Sequence, residues 1–142
     1  MFKNAIGPRV RKLSRYIKQN MNHRINELTN SQVTHVQARV LYYLEWMSDE
    51  GKDVYQKNIE EFLAVSKSTA SEIISNLENN EYISRVKLEN DGRLRKIVLL
   101  EKGYQTNKAI GETIENFENE MKNKLTEEEL ETFFSIVEKI VN

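Results

Sequence analysis

The feature that most constrains the fold is a change in hydrophobic periodicity at about residue 82. Before it, in residues 56–63 and 67–79, apolar side chains recur at steps of three and four, as on the buried face of a helix. After it, in residues 82–88, apolar and charged side chains alternate, as in a half-buried strand. Two short helices joined by a tight turn predict a helix-turn-helix, whose second helix Ser66 or Ser68 would cap.

The alternating segment predicts a β-hairpin. Val86 and Leu88 fall on the face expected to be buried, and residues 97–100 form the return strand. Asp91-Gly92, within the predicted turn 89–92, is a common hairpin signal. A β-hairpin directly after a helix-turn-helix makes a winged helix, and the hairpin is called the wing below.

Longer helices are predicted on both sides of this winged unit. The first opens at Pro8, the second is capped by Thr34, and a third begins near Gly103. Thr126 and Glu129 match a capping box before the last helix. One Pro and five Gly in the chain favour long uninterrupted helices, so the fold is predicted to be mainly α. The inward face of the second helix is predicted to comprise Val36, Val40, Leu41, Leu44 and Met47.

Several classes of protein are excluded by what the sequence lacks. Without Cys there is no disulfide scaffold, thiolate zinc site or thiol nucleophile. No Ser-His-Asp order or phosphate-binding glycine loop is present, so we expect neither an enzyme nor a bound cofactor. A metal site built from His23, His35 and Glu27 is conceivable, but ordinary surface or interface histidines are favoured. No apolar run approaches the roughly 18 residues that span a membrane, and the N-terminus lacks a secretory signal, so a cytoplasmic protein is expected.

Charge is balanced in total, with 21 Lys and Arg against 22 Asp and Glu, but it is not distributed evenly. Residues 1–51 hold eight basic and four acidic residues, residues 52–103 hold nine of each, and residues 104–142 hold four and nine. The basic first segment is either an arm that faces nucleic acid or a helix that packs beside the acidic last segment. The second interpretation is favoured.

The outer face of the second short helix suits a recognition helix, which must enter a major groove about 12 Å wide with polar side chains outward. Lys57 and Lys67 lie near helix starts, where a cation can reach a phosphate. Glu72 could accept a hydrogen bond from cytosine or be merely solvated, and for this residue alone the second is favoured. The residues of this face predicted to contact DNA are Ser68, Thr69, Ser71, Glu72 and Ser75.

The predicted tip of the wing is basic. Arg93 follows Asp91 across Gly92, so the carboxylate can hold the guanidinium in one pose for insertion into a narrow minor groove. The alternative is an ordinary hairpin whose charged edge blocks aggregation, but beside a helix-turn-helix the interpretation as a DNA contact is favoured. The wing residues predicted to reach flanking phosphates are Lys87, Arg95 and Lys96.

These segments together resemble the MarR family of bacterial transcription regulators over nearly the whole chain. The order and spacing of the pieces are more specific than any one of them. They are Leu28-Thr29 with Gln37, Val40-Leu41 and Leu44; Ser68-Thr69-Ala70-Ser71 with Ile74 and Leu77-Glu78; and Ile83-Ser84-Arg85 with Asp91-Gly92-Arg93, Val98-Leu99 and Glu101-Lys102-Gly103.

The resemblance implies a homodimer in which residues 1–33 and 102–142 form the dimerisation part and residues 34–101 the DNA-binding winged helix. Two winged helices would bind a pseudo-palindromic operator in double-stranded DNA, more often as a repressor than as an activator. A cleft between the two parts often takes a small effector in this family. Tyr42, Tyr43 and Trp46 could line such a cleft, although core and interface packing is favoured for them. The residues expected at the dimer interface are Val10, Leu13, Ile17, Leu130, Phe133, Phe134, Val137 and Ile140.

Two positions depart from the family pattern. Leu100 stands where Thr usually precedes Glu-Lys-Gly, which removes a helix cap. Glu81 stands where Gly usually supplies a left-handed residue after the recognition helix. Asn80 is expected to take that conformation instead, or the helix to end irregularly.

A protein-interaction module without DNA contact is the rival to a DNA-binding regulator. It would use the winged helix to bind a protein and the outer helices to dimerise. The zero net charge of residues 52–103 and the absence of Arg from residues 67–79 keep this alternative open.

Overall fold

The computed structural model describes residues 3–142, with the side chain of Asp91 outside the description. The chain divides into two compact units, of which one ends at Ile110 and the other comprises Gly111–Asn142. The elements in order are α1 (Ile6–Thr29), α2 (His35–Asp49), α3 (Gln56–Leu63), α4 (Lys67–Asn79), β1 (Ile83–Leu88), β2 (Asp91–Leu99), α5 (Glu101–Lys122) and α6 (Glu127–Val141). The predicted order of helices and hairpin is confirmed.

The core of the first unit lies where α1 to α4 meet the base of the wing. Each helix contributes the apolar face that its periodicity predicts, and burying each such side chain contributes about 1.5–3 kcal/mol. Val36 is a correction to the predicted inward face of α2, because it remains 40% exposed beside a groove between α1 and α2. Side chains that are almost completely buried include Ile25, Leu41, Ile59, Ile74, Leu77 and Ile83.

Local side-chain caps set the starts of α2 and α6. Thr34 accepts from the Gln37 backbone N–H at 3.1 Å while the Gln37 side chain accepts from the Thr34 N–H at 3.0 Å. The same reciprocal pair joins Thr126 and Glu129. Both predicted caps are confirmed. Helix α1 begins two residues before the predicted Pro8, because the missing N–H of a proline is not needed within the first turn.

The wing differs from its prediction at the tip. Leu88 pairs with Asp91, so the turn is Glu89-Asn90, and the predicted Asp91-Gly92 turn is wrong. The next pair along the ladder is Lys87 with Arg95, which leaves residues 92–94 as a bulge in β2. A bulge absorbs extra residues within a strand and often contains glycine. The turn at the tip therefore comprises two residues instead of the four predicted, and Arg93 lies in the bulge.

Only the base of the wing is buried. Ile83 and Ile97 are 1% and 4% exposed, and the Ile97 N–H donates to the Val54 carbonyl oxygen at 2.8 Å. Val86 was predicted to be inward but is 44% exposed, because the outer half of the hairpin extends past the elements that cover its base. Alternation predicted the strand correctly but not how much of it is covered.

The end of α4 contradicts the expectation for Asn80. Asn80 has φ −91°, and Glu81 itself takes the left-handed conformation with φ 65°. The Tyr82 N–H donates to the Leu77 carbonyl at 3.0 Å, and the Glu81 N–H donates to that of Glu78 at 3.0 Å. These two bonds define a Schellman ending, which places a left-handed residue at Glu81 whatever its type. An L side chain in this conformation costs about 1–2 kcal/mol.

The start of α5 packs against the chain that follows α4. A Cβ added at Gly103 would lie 2.6 Å from the Tyr82 carbonyl oxygen and 2.5 Å from Leu99 Cδ1. The Asn107 side chain, one helical turn later, donates to the Leu41 carbonyl oxygen at 2.9 Å. Glycine at position 103 is therefore required, because the Tyr82 carbonyl oxygen and Leu99 approach it too closely to leave room for a side chain.

Across residues 3–142, none of the helices combines the length and apolar character needed to cross a membrane.

We predict that Gly103→Ala destabilises the protein by about 1–3 kcal/mol, because the added methyl group meets backbone that cannot move aside. Gly111→Ala is the matched control on the same helix, where an added Cβ meets nothing within 4 Å. It is expected to stabilise by up to about 1 kcal/mol through helix propensity. Urea unfolding of both variants measures the difference, and equal effects would contradict the close approach.

We predict that Glu81→Gly stabilises the protein by about 1 kcal/mol, because glycine adopts the left-handed conformation without a steric cost. The control is Asn79→Gly at the last residue of α4, which should destabilise by roughly 0.5–1 kcal/mol. Thermal and urea unfolding provide the measurement. Loss of stability in Glu81→Gly would mean that the glutamate side chain has a stabilising role that outweighs its backbone strain.

Candidate DNA-binding surface

The helix-turn-helix is held by its own turn. Ala64 ends α3 in a left-handed conformation, and the Ser66 hydroxyl accepts from the Thr69 backbone N–H at 3.2 Å to begin α4. Of the two serines predicted to cap α4, Ser66 and Ser68, Ser66 is the cap. The Gln56 side chain donates to the Lys67 carbonyl oxygen at 3.3 Å, which ties the start of α3 to the start of α4.

Helix α4 has one buried and one accessible face, as predicted. Ala70, Ile74 and Leu77 are fully buried on the inner face. On the outer face Ser68, Thr69 and Glu72 are exposed, and Ser71 and Ser75 are half-buried. Three of these predicted DNA contacts already have protein partners. The Ser68 hydroxyl is hydrogen-bonded with that of Ser66 at 3.2 Å, the Thr69 hydroxyl accepts from Ser66 at 3.0 Å, and the Ser75 hydroxyl accepts from Arg85 at 2.9 Å.

Arg85 on β1 links the wing to α4, a role that sequence reasoning missed. Its Nη2 donates to the Ser75 hydroxyl on α4, and its backbone N–H donates to Glu78 Oε2 at 3.1 Å. Its Nε lies 3.8 Å from Glu78 Oε1. These contacts fix the wing to the recognition helix. The pattern placed Arg85 on the solvent side of β1, and nothing in strand alternation indicates that α4 would occupy that side.

The wing cations divide into two groups. Lys87, Arg93 and Arg95 are exposed, whereas Lys96 lies 2.9 Å from Asp53 Oδ1. The hydrogen bond with Asp53 raises the pKa of Lys96 above its ordinary value. Lys96 therefore braces the wing against the segment before α3, and its contact with a phosphate stays a prediction. The predicted carboxylate–guanidinium contact from Asp91 involves a side chain outside the described residues.

A pocket of about 250 Å³ lies between the start of α3 and the wing and is called the wing pocket below. It brings together Arg85 and three residues that the sequence predicted separately, Lys57, Arg93 and Arg95. Lys67 and Lys87 are not among its lining residues. The full lining is Tyr55, Gln56, Lys57, Arg85, Arg93, Leu94, Arg95 and Ile97, and none of these described residues is acidic.

A second concave surface, of about 930 Å³, lies between α1 and α2 and is called the α1–α2 groove. Its apolar residues include Val10, Leu13 and Val36, and its basic residues include Lys18 and Arg39. His35 also lines the groove, where burial and the charges of Arg39 and Lys18 lower its pKa.

The aromatic residues suggested for an effector cleft line neither of these two surfaces. Tyr43 stacks on Phe62, with ring centroids 4.3 Å apart and planes 11° apart. Tyr42 and Trp46 are 65% and 49% exposed on α2. Tyr43 therefore belongs to the packing between α2 and α3.

The two histidines have different surroundings. His23 Nε2 is 3.2 Å from Glu27 Oε1 on the same exposed face of α1, whereas His35 begins α2 beside cations. Among the residues that the structure describes, no three His, Asp or Glu side chains are grouped as metal ligands would be.

The sequence and structure were compared with known proteins. The model of the MarR family matches residues 31–94, and a comparison with curated proteins finds no match. Among solved structures, Staphylococcus aureus MepR, described as a transcription regulator of the multidrug efflux pump MepA, is 23% identical with a TM-score of 0.86. That alignment covers 96% of each chain.

Two further structures support the same fold. The S. aureus MepR–DNA complex is 24% identical over 98% of each chain, with a TM-score of 0.70. The apo form of Escherichia coli MarR is 16% identical over 96% of this chain and 97% of its own, with a TM-score of 0.72. The predicted winged helix fold is thereby confirmed. Residues 31–94, which hold the helix-turn-helix and part of the wing, match the model of the MarR family, and the fold is shared with these solved structures over nearly the whole chain.

Proposed function

We propose that the protein is a transcription regulator, not an enzyme, which binds double-stranded DNA in the cytoplasm as a homodimer. It would bind a pseudo-palindromic operator, as a repressor. The observation that carries the proposal is the fixed attachment of the wing to α4 through Arg85, beside a pocket lined by four basic residues. A recognition helix and a wing held together in this way can contact a major groove and an adjacent backbone at once.

The charge near the reading surface supports DNA as the partner. Residues 52–103 have no net charge, yet Asp53 is paired with Lys96 and Glu78 faces Arg85. These two acidic residues are thus engaged by basic side chains, and none of the described residues that line the wing pocket is acidic. The MepR protein of the S. aureus MepR–DNA complex has the same fold, which is consistent with this proposal.

The homodimer is supported by apolar surface on α6. None of the residues of α6, all of which the structure describes, is buried, and Leu130 is half-buried. Phe133, Phe134 and Ile140 are 43%, 50% and 58% exposed. On α1, Val10 and Leu13 are 58% and 41% exposed. An exposed apolar helix face such as that of α6 is typical of a protein interface.

The binding of a small effector stays a prediction. Tyr42, Tyr43 and Trp46 line neither the α1–α2 groove nor the wing pocket, so their geometry gives it no support.

A titration with random-sequence duplex DNA tests the proposed function. At low salt we expect binding by fluorescence anisotropy, and log Kobs should fall linearly with log salt concentration, with a slope of about −0.9 for each phosphate neutralised. The absence of binding at the lowest salt concentration would favour the protein-interaction module over the regulator.

Arg93→Ala is predicted to weaken DNA binding by about ten- to a hundredfold while the dimer stays intact, because the bulge presents this residue at the tip of the wing. Lys12→Ala removes one exposed positive charge from α1 and serves as the control for net charge. Anisotropy measures affinity, and light scattering measures mass. Unchanged affinity of Arg93→Ala would remove the wing tip from the mechanism.

Deletion of residues 126–142 is predicted to abolish the dimer at micromolar concentration, because it removes the exposed apolar face of α6. Since a truncated chain could misfold, Phe133→Glu with Phe134→Glu tests the same interface in the full chain. Glu131→Ala, an exposed change on the same helix, is the control. Analytical ultracentrifugation gives the mass, and a stable dimer in both apolar-face variants would show that α6 is not at the interface.

A further inference from the structure

The wing pocket has the size and chemistry of a site for a small anion. Its volume of about 250 Å³ far exceeds the roughly 30 Å³ of one water, which leaves room for a tetrahedral oxyanion with its own hydration. It is lined from two elements, by Lys57 on α3 and by Arg85, Arg93 and Arg95 on the wing. An occupant would therefore contact both elements together.

Basic side chains predominate in the described lining of the pocket, although Arg85 is also ion-paired with Glu78 at 3.8 Å. Four of the eight lining residues are Lys or Arg, and none of the eight is acidic. Asp53 is held by Lys96 at 2.9 Å, and neither of those two residues lines the pocket. Because like charges around one cavity repel, an anion bound between them is favoured by several interactions at once.

Arg85 supplies a guanidinium whose position is already fixed. Its Nη2 donates to the Ser75 hydroxyl, and its Nε is buried with no hydrogen-bond partner among the described residues. The Nε–Glu78 Oε1 distance of 3.8 Å is that of an ion pair and is too long for a hydrogen bond. An arginine has five N–H donors in a planar fork that matches phosphate oxygens, so this residue retains donor capacity.

We propose that the wing pocket binds one phosphate group, with Lys57, Arg85 and Arg95 as its principal ligands. The chemistry is the same whether the group belongs to the DNA backbone or to a free phosphate. The first source rests on the proposed function, because it requires DNA to be the partner. The second does not.

The free source is tested with inorganic phosphate and the DNA-free, full-length protein. NMR chemical shifts of the Lys57 and Arg95 amides and of the Arg85 side chain are followed at constant ionic strength, with sodium chloride as the reference titration. We expect saturable shifts in the millimolar range that Lys57→Gln weakens at least threefold. Lys87→Gln removes a wing charge outside the pocket and should leave these shifts unchanged.

The backbone source is tested by the salt dependence of DNA binding. If Lys57 and Arg95 hold the same phosphate, Lys57→Gln lowers the magnitude of the log–log slope by about one for each protomer. Adding Arg95→Gln to Lys57→Gln should then lower it little further, because the shared phosphate has already been lost. Adding Lys87→Gln to Lys57→Gln instead should give additive effects, since these residues share no ligand.

The outcomes separate this proposal from the proposed function. Non-additive slopes for Lys57 and Arg95 support a backbone phosphate in the pocket, and saturable phosphate binding with unchanged DNA slopes supports a free phosphate. Phosphate binding by a protein that binds no DNA would retain the pocket and overturn the proposed function. The pocket proposal is overturned if free phosphate does not saturate and the Lys57 and Arg95 effects on the DNA slope are additive or absent.

Discussion

The arrangement of the winged helix depends on the backbone of Tyr82, where three elements meet. Its N–H donates to Leu77 at the end of α4, and its carbonyl oxygen accepts from the Leu100 N–H at 3.0 Å, just before α5. The same carbonyl leaves no space for a side chain at Gly103. Its ring is 2% exposed, and the Lys102 ammonium lies 4.3 Å from the ring centroid. The end of α4, the base of the wing and the start of α5 are therefore all anchored to one residue.

The second attachment is polar and lies farther along the wing. Arg85 connects β1 to Ser75 and Glu78 on α4, so the wing is fixed to the recognition helix at two separated points. Two such points prevent rotation of the wing about a single hinge. In the proposed function, this geometry would let a chain with balanced charge bind a polyanion, since the position of a few cations matters more than their number. It also explains why Lys96, which is paired with Asp53, differs in role from its neighbour Arg95.

Much of this architecture follows from the sequence because it is determined locally. Helical and alternating periodicities predict the elements, and short-range hydrogen bonds fix the caps at Thr34 and Thr126. The outer face of α4 follows from its small polar residues, which have no counterpart on the buried side. These features can be predicted without knowing which other elements pack against them.

The predictions that are wrong concern features that contacts between distant parts of the chain determine. Glu81 adopts a left-handed conformation because the Schellman hydrogen bonds and the burial of Tyr82 outweigh the steric preference of a single residue. Asp91-Gly92 has the composition of a turn, but ladder pairing places it within β2. Arg85 could not be recognised as a link, because strand alternation specifies a face and not the helix packed against it. The packing of Tyr43 on Phe62 likewise depends on how α2 meets α3.

In the proposed function, two copies of this chain present two recognition helices, each with its own wing, to one face of a duplex. Hydroxyl-radical footprinting on a duplex selected from a random pool tests it most directly. We expect two symmetric protected segments whose centres are about 10 base pairs apart, or a multiple of that spacing, with further protection on the flanks from the wings. A single protected segment without symmetry, or no protection beside a stable complex, would contradict it.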